Sequence, residues 1–185
     1  RQRQMCIRDR NLPRYAVGKN LDSLSEIFHN TYRLQPTAAS TTLGFHITTT
    51  LEQDYIITDT LEVTVDGFIN FATTDYLIFK AGESYAEVKA VCTTAGTAGN
   101  DFVPGQVNKL VSDEFLYFKE VSNTTVTAGG SEEESDTAFY NRMRESEESY
   151  TTAGPRGSYI YHAKSVSSQI SDVSAESPEP GIADI

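Results

Sequence analysis

The residues that could do chemistry are few and scattered. Three histidines, His29, His46 and His162, lie in three different segments. None has a Cys, His or Glu at the spacing that a metal site needs, and a lone histidine on a helix or strand is usually a packing or surface residue. Cys6 and Cys92 make neither a disulfide framework nor a CxxC pair. No HExxH, GxSxG, Walker A or GxGxxG pattern occurs, and no DxDxDG calcium loop. The Gly/Thr-rich loop TTAGTAGND (93–101) lacks the Lys-Ser or Lys-Thr that completes a phosphate loop. Carboxylates are abundant, but most stand in polar runs such as EEES and ESEES, which read as solvated helix faces rather than buried acids. Asp54, Asp59 and Asp66 sit where strands end, in the ordinary place for turn chemistry. The residues name no catalytic group, no cofactor site and no metal site.

The elements that would have to position a site are legible. The chain has 185 residues, with 15 basic against 26 acidic and a net charge of −11. One domain or two small ones fit that length. No run of about 18 apolar residues is present, so membrane insertion is not expected. The acidic balance disfavours nucleic acid as a partner. Residues 1–10, RQRQMCIRDR, carry four arginines against one aspartate in an otherwise acidic chain. They resemble translated sequencing-adapter sequence and are set aside as a non-native scar. Residues 11–36 form an N-terminal helical segment, with Leu21, Leu24, Ile27, Phe28 and Leu34 at helical spacing behind Asn20 as N-cap. Pro36 stops that helix.

Residues 37–126 turn to strand periodicity. Leu43, Phe45 and Ile47 alternate with polar neighbours, as do Leu61, Val63 and Val65. Asp66-Gly67 signals a hairpin into Phe68–Phe71. Tyr76–Phe79 is a further strand, and Ala86, Val88, Ala90 and Cys92 mark another with Cys92 on its buried side. Short strands between turn signals predict a small β-barrel or sandwich. Residues 127–185 change again. Ser131 to Glu134 has capping-box spacing before a helix over about 134–147. A second helix is expected over about 158–168, then a strand over 170–175, an SPEPG turn and a strand from Ile182 to Ile185. The fold class is α+β, mostly β: short helix, small barrel or sandwich, then a helix-helix-strand-strand α+β domain read as incomplete at its C-terminus. Both ends of the chain are read as truncations.

Three patterns stand out in this order. They are A-G-x-x-G-N-x-x-x-P-G-x-x-N from Ala95 to Asn108, N-x-T-x-x-x-G-G-x-x-x-E-S-D from Asn123 to Asp136, and G-x-Y-x-Y-x-A from Gly157 to Ala163 followed by S-P-x-P-G. With NLDSLSEIFHNTYRL before them, they resemble the baseplate J-like family of contractile phage tails and related particles, over about residues 15–185. The resemblance implies a structural wedge subunit and no enzyme. It implies other wedge and hub proteins as partners, self-association in a ring, and a role when the baseplate triggers sheath contraction. It also implies a virion location after assembly in the bacterial host cytoplasm, and no cofactor, nucleic acid, membrane insertion or small-molecule substrate. The alternative is a β-rich tail-associated binding module, an adhesin or carbohydrate-binding domain. The sequence names no interface residue.

Overall fold

The computed structural model describes residues 11–146 and 156–176. They form two compact units, one of residues 37–132 and one drawn from the segments on either side of it. The whole is mixed α and β, mostly β, with a short N-terminal helix, a barrel and two further helices.

The unit of residues 37–132 holds eight strands: β1 (Ala38–Ile47), β2 (Tyr55–Ile57), β3 (Glu62–Thr64), β4 (Asn70–Thr73), β5 (Leu77–Phe79), β6 (Tyr85–Ala95), β7 (Lys109–Leu110) and β8 (Phe118–Asn123). Six of them make an antiparallel sheet in the order β7-β3-β4-β6-β1-β8, and β2 pairs with β5 in a separate ribbon. The expected alternation carries the core. In β1, Leu43, Phe45 and Ile47 point inward, and in β6 Ala86, Val88, Ala90 and Cys92 do. The register sets large against small: Phe45 opposite Ala86 and Leu43 opposite Val88. Phe71, Phe79, Leu77, Val63 and Val107 complete a dry interior. Outside, Gly44 is bare so that the Tyr85 ring can lie over the strand; a Cβ there would meet the ring at 2.6–3.0 Å.

The sheet curls until its first and last strands nearly meet, so the sandwich alternative falls and the barrel stands. Asn123, at the end of β8, makes the closure. Its backbone N–H donates to the Val107 carbonyl (3.1 Å), and its side-chain oxygen accepts from the Val107 N–H (2.9 Å). Its carbonyl accepts from the Gly105 N–H (3.0 Å). Its side-chain amide donates to the carbonyls of Thr125 (2.8 Å) and Val103 (3.1 Å). The side chain is buried, so each bond replaces one that water would otherwise have to supply.

The Asp66-Gly67 hairpin forms, but Phe68 and Ile69 belong to its loop rather than to the returning strand. The Asp66 carboxylate accepts from the N–H groups of both residues (2.9 and 3.2 Å). Amides spent on a turn cannot also bond a ladder. Phe68 is left 86% exposed at the tip.

In the other unit, α1 spans Lys19–His29, shorter than the periodicity implied. Asn30 takes a left-handed conformation (φ 47°) and returns its N–H to the Ser25 carbonyl, which ends the helix. The N-cap position is Gly18, not Asn20. The expected single apolar face is divided: Leu21 is buried, whereas Ile27 and Phe28 are exposed. Helix α2 spans Asp136–Glu145 and is capped by Ser135, whose hydroxyl accepts from the Ala138 N–H (3.3 Å), not by Ser131. Ser131 is instead the last rung beside β1, exchanging backbone bonds with Thr37 (3.0 and 3.1 Å).

Helix α3 spans Arg156–Lys164 and stops before the expected 168. The Ser165 hydroxyl donates back to the Tyr161 carbonyl (2.8 Å) in the turn that follows. The strand expected over 170–175 does not form. Here Ser167 accepts from the Gln169 N–H and Asp172 from the Val173 N–H, so side chains occupy donors that a ladder would need. The SPEPG turn and the strand expected from Ile182 lie outside the described residues.

Replacing Asn123 with Ala takes the side-chain acceptor from the buried Val107 N–H and removes the amide that ties the Val103 and Thr125 carbonyls together. The variant should lose about 3 kcal/mol of stability, read as a lower urea midpoint. A midpoint unchanged within error would show that the closure does not depend on this side chain.

Candidate functional site

A cluster of mutually bonded polar groups lies where two of the sequence patterns converge. Gly96 to Asn100 leaves β6 through a single 3₁₀ turn (Thr97–Gly99). Gly129 and Gly130 arrive from β8. Asn100 and Gly130 exchange two bonds: the Gly130 N–H donates to the Asn100 side-chain oxygen (2.9 Å), and the Asn100 amide donates to the Gly130 carbonyl (2.8 Å). A Cβ on Gly130 would overlap the Gly96 carbonyl oxygen and crowd the Ala39 nitrogen. A Cβ on Gly99 would lie 3.0 Å from both Ala39 and the Cys92 sulfur. Gly129 is glycine for another reason, its φ of 93°. Glu132 closes the far side, accepting from the Thr97 N–H and hydroxyl (both 2.9 Å). Those donors hold its carboxyl below the usual carboxylate range.

Every member of this cluster is occupied by another member. Cys92 is a buried free thiol packed under the turn. What the arrangement can do is hold the two ends of the barrel's long strands together. Close approach therefore explains Gly99 and Gly130 of the patterns that stood out in the sequence, and positive φ explains Gly96, Gly105 and Gly129.

The histidines are not brought to one place. His46 lies tilted against Tyr85 with ring centroids 4.7 Å apart, His29 sits 3.4 Å from the Ser146 hydroxyl, and His162 lies edge-on to Tyr161. Among the described residues, no group of three His, Cys, Asp or Glu side chains could hold a metal ion. No described helix is long and apolar enough to cross a membrane.

The charged cluster that sequence reasoning missed is in the helical unit. Glu134, read as part of a solvated run, is buried and forms a two-pronged ion pair with Arg142 (2.9 and 2.7 Å). Arg142 also donates to the Tyr32 carbonyl (2.6 Å). Arg33 donates to Asp22 (2.9 Å), to Asp136 (2.6 Å) and to the Glu134 carbonyl (2.6 Å). The Asp136 carboxyl is held low by the Gly18 N–H and by Arg33. Both guanidiniums lie over Phe139, 4.9 and 5.5 Å from its ring centre. A cleft of about 650 Å³ runs beside α2, lined by Ser135, Asn141, Arg144, Lys164 and Ser171 among others. Two ion pairs stand in its walls, Arg142 with Glu134 and Lys164 with Glu145 at 3.0 Å, and the Arg144 guanidinium lies over the Tyr140 ring. The sequence signal for this network was weak, since a single Glu in an EEES run looks like its neighbours.

The family model described as Baseplate J-like protein barrel domain matches residues 37–130, half of the chain and nearly the whole barrel unit. The chain belongs to the baseplate J-like family. No curated protein matches it. The match ends at Gly130, the residue that Asn100 clasps. In this barrel Gly99, Gly130, Asn100 and Asn123 serve the frame. Membership points to a structural role in a phage tail baseplate, alongside other baseplate proteins.

Two predictions follow from the geometry of this cluster. Gly130→Ala must displace backbone, and should cost about 3 kcal/mol or abolish soluble expression. Gly105→Ala meets open space and has only its φ of 87° to strain, so about 1 kcal/mol is expected. Equal effects in thermal unfolding would contradict the close-approach reading. Glu132 has a depressed pKa in the folded state, so its contribution is complete above the ordinary carboxylate value and fades as pH falls through the lower folded value. Glu132→Gln should therefore show a shallower loss of stability as the pH is lowered through and below the ordinary carboxylate range, measured by urea unfolding at a series of acidic pH values. Parallel curves for the variant and the wild type would refute the assignment.

Proposed function

We propose that this baseplate J-like chain is a structural subunit of a contractile-tail baseplate wedge. It joins wedges around the tail hub through self-association in a ring, contacts other wedge proteins, and takes part in assembly and in the triggering of sheath contraction. It is assembled in the bacterial host cytoplasm and acts by presenting faces, without a catalytic step. The observation that carries this reading is the family match over the barrel, in which the patterned residues close backbone onto backbone. The acidic surface supports it too, with 4 basic and 12 acidic residues over 36–130. Such a surface keeps free subunits soluble and favours partners of opposite charge.

Full-length protein, co-expressed with the sheath, hub and wedge proteins encoded beside it, should co-purify with wedge proteins. On size-exclusion chromatography it should elute in a complex larger than a monomer. A protein that stays monomeric and binds none of them would defeat the proposal. Binding on a glycan array with no wedge partner would point instead to the adhesin alternative.

A further inference from the structure

The β2–β5 ribbon differs from the rest of the barrel wall. Its residues alternate as any strand pair must: Tyr55, Ile57, Leu77 and Phe79 face the core, where Tyr55 and Phe79 pack near Phe115. The outward positions between them are Ile56 and Ile78, which stand directly opposite each other in the register. They are 52% and 46% exposed, and Tyr76, two residues before Ile78, is 65% exposed. The same barrel shows what an ordinary outward face looks like. Along β6 the exposed positions include Tyr85, Glu87, Lys89 and Thr93, and along β1 Ser40 is exposed while Thr42 and His46 are half-buried. A solvated antiparallel wall alternates apolar-in with polar-out. Only the ribbon, among the described strand pairs, puts a directly opposed pair of branched aliphatic side chains outward. Opposed pairs of this kind stabilise a ribbon only modestly, and contiguous exposed apolar surface rimmed by charge marks a place where another molecule sits.

The rim decides what that molecule is. The segments carrying the ribbon, residues 50–59 and 74–83, hold Glu52, Asp54, Asp59, Asp75 and Glu83 against the single cation Lys80. All six are exposed. A second copy would bring the same carboxylates against these, and like charges set face to face oppose association. An anionic lipid surface is disfavoured for the same reason. We propose that the outward face of the β2–β5 ribbon docks a different protein, one presenting a row of apolar side chains bordered by lysine or arginine. Ile56, Ile78 and Tyr76 supply the dry centre of the contact, and the five carboxylates supply its orientation and salt dependence. This goes beyond the baseplate reading by naming a face and the chemistry of its partner, and rests on that reading only for where the partner is found.

The test is site-specific photocrosslinking in the producing cells, with full-length protein carrying benzoylphenylalanine in place of Ile78. The expected product is a crosslink to a peptide of another protein, with apolar residues flanked by Lys or Arg. Its yield should fall roughly fivefold when Asp59→Lys and Asp75→Lys are combined. The same photoprobe in place of Phe68, exposed but alone at its hairpin tip, should give no discrete product. No crosslink at position 78, a crosslink to a second copy of this chain, a peptide without basic residues, or a yield indifferent to the charge reversals would each overturn the proposal. If the basic partner is captured but is not a baseplate component, the docking face stands and the baseplate reading falls. If the chain co-purifies with wedge proteins but position 78 captures nothing, the reverse holds.

Discussion

A small barrel has to satisfy the backbone at the seam where its sheet stops curling. Two edge strands that do not quite reach each other would leave buried donors and acceptors facing nothing, at a cost of about 1–3 kcal/mol for each group. Asn123 resolves this. Its amide has both an acceptor and donors, so one side chain can serve a neighbouring N–H and neighbouring carbonyls at once. Because β7 has only two residues, there is too little strand for a full ladder against β8. The side chain substitutes for the missing rungs, and the interior containing Phe45, Phe71 and Val63 stays dry behind it.

The same economy recurs at the other end of the long strands. Asn100 clasps the Gly130 backbone with two hydrogen bonds, accepting from its N–H on one side of the Cα and donating to its carbonyl on the other. The approach is possible only because Gly130 and Gly99 have no side chain to hold the backbones apart. The residues that make this baseplate J-like barrel recognisable are thus those with least freedom to change. Their burial and mutual pairing leave the outward faces of the strands to carry recognition.

The helical unit solves a different problem, since its apolar core is small. Among the described residues, its buried apolar cluster is Ala16, Leu21, Phe139 and Met143. Around them Arg142, Glu134, Arg33, Asp22 and Asp136 form a charged belt in which each buried charge has an opposite partner and further hydrogen bonds. Burying such ions is expensive unless their geometry is complete. Here the two-pronged Glu134–Arg142 pair, the carbonyls of Tyr32 and Glu134, and the ring of Phe139 complete it. The belt ties Tyr32, Arg33 and Leu34, beyond the left-handed Asn30 that ends α1, to Glu134, Asp136 and Arg142.

What the sequence determined by itself was everything that depends on period and on turn chemistry. Alternation located β1 and β6 and their buried residues, Asp66-Gly67 located the hairpin, and the spacing of glycines and asparagines carried the family resemblance. It misplaced features that depend on competition for backbone hydrogen bonds. Ser135 rather than Ser131 caps α2 because Ser131 is held by Thr37, 94 positions away. Residues 170–175 make no strand; there the Val173 N–H goes to the Asp172 carboxylate and the Ile170 N–H to the Ser167 carbonyl, donors that a ladder would need. Tertiary structure alone decided the burial of Glu134 and the exposure of Ile56 and Ile78. A run of acids or a strand of isoleucines looks the same in sequence whichever way it faces, and the direction is set by what distant segments pack against it.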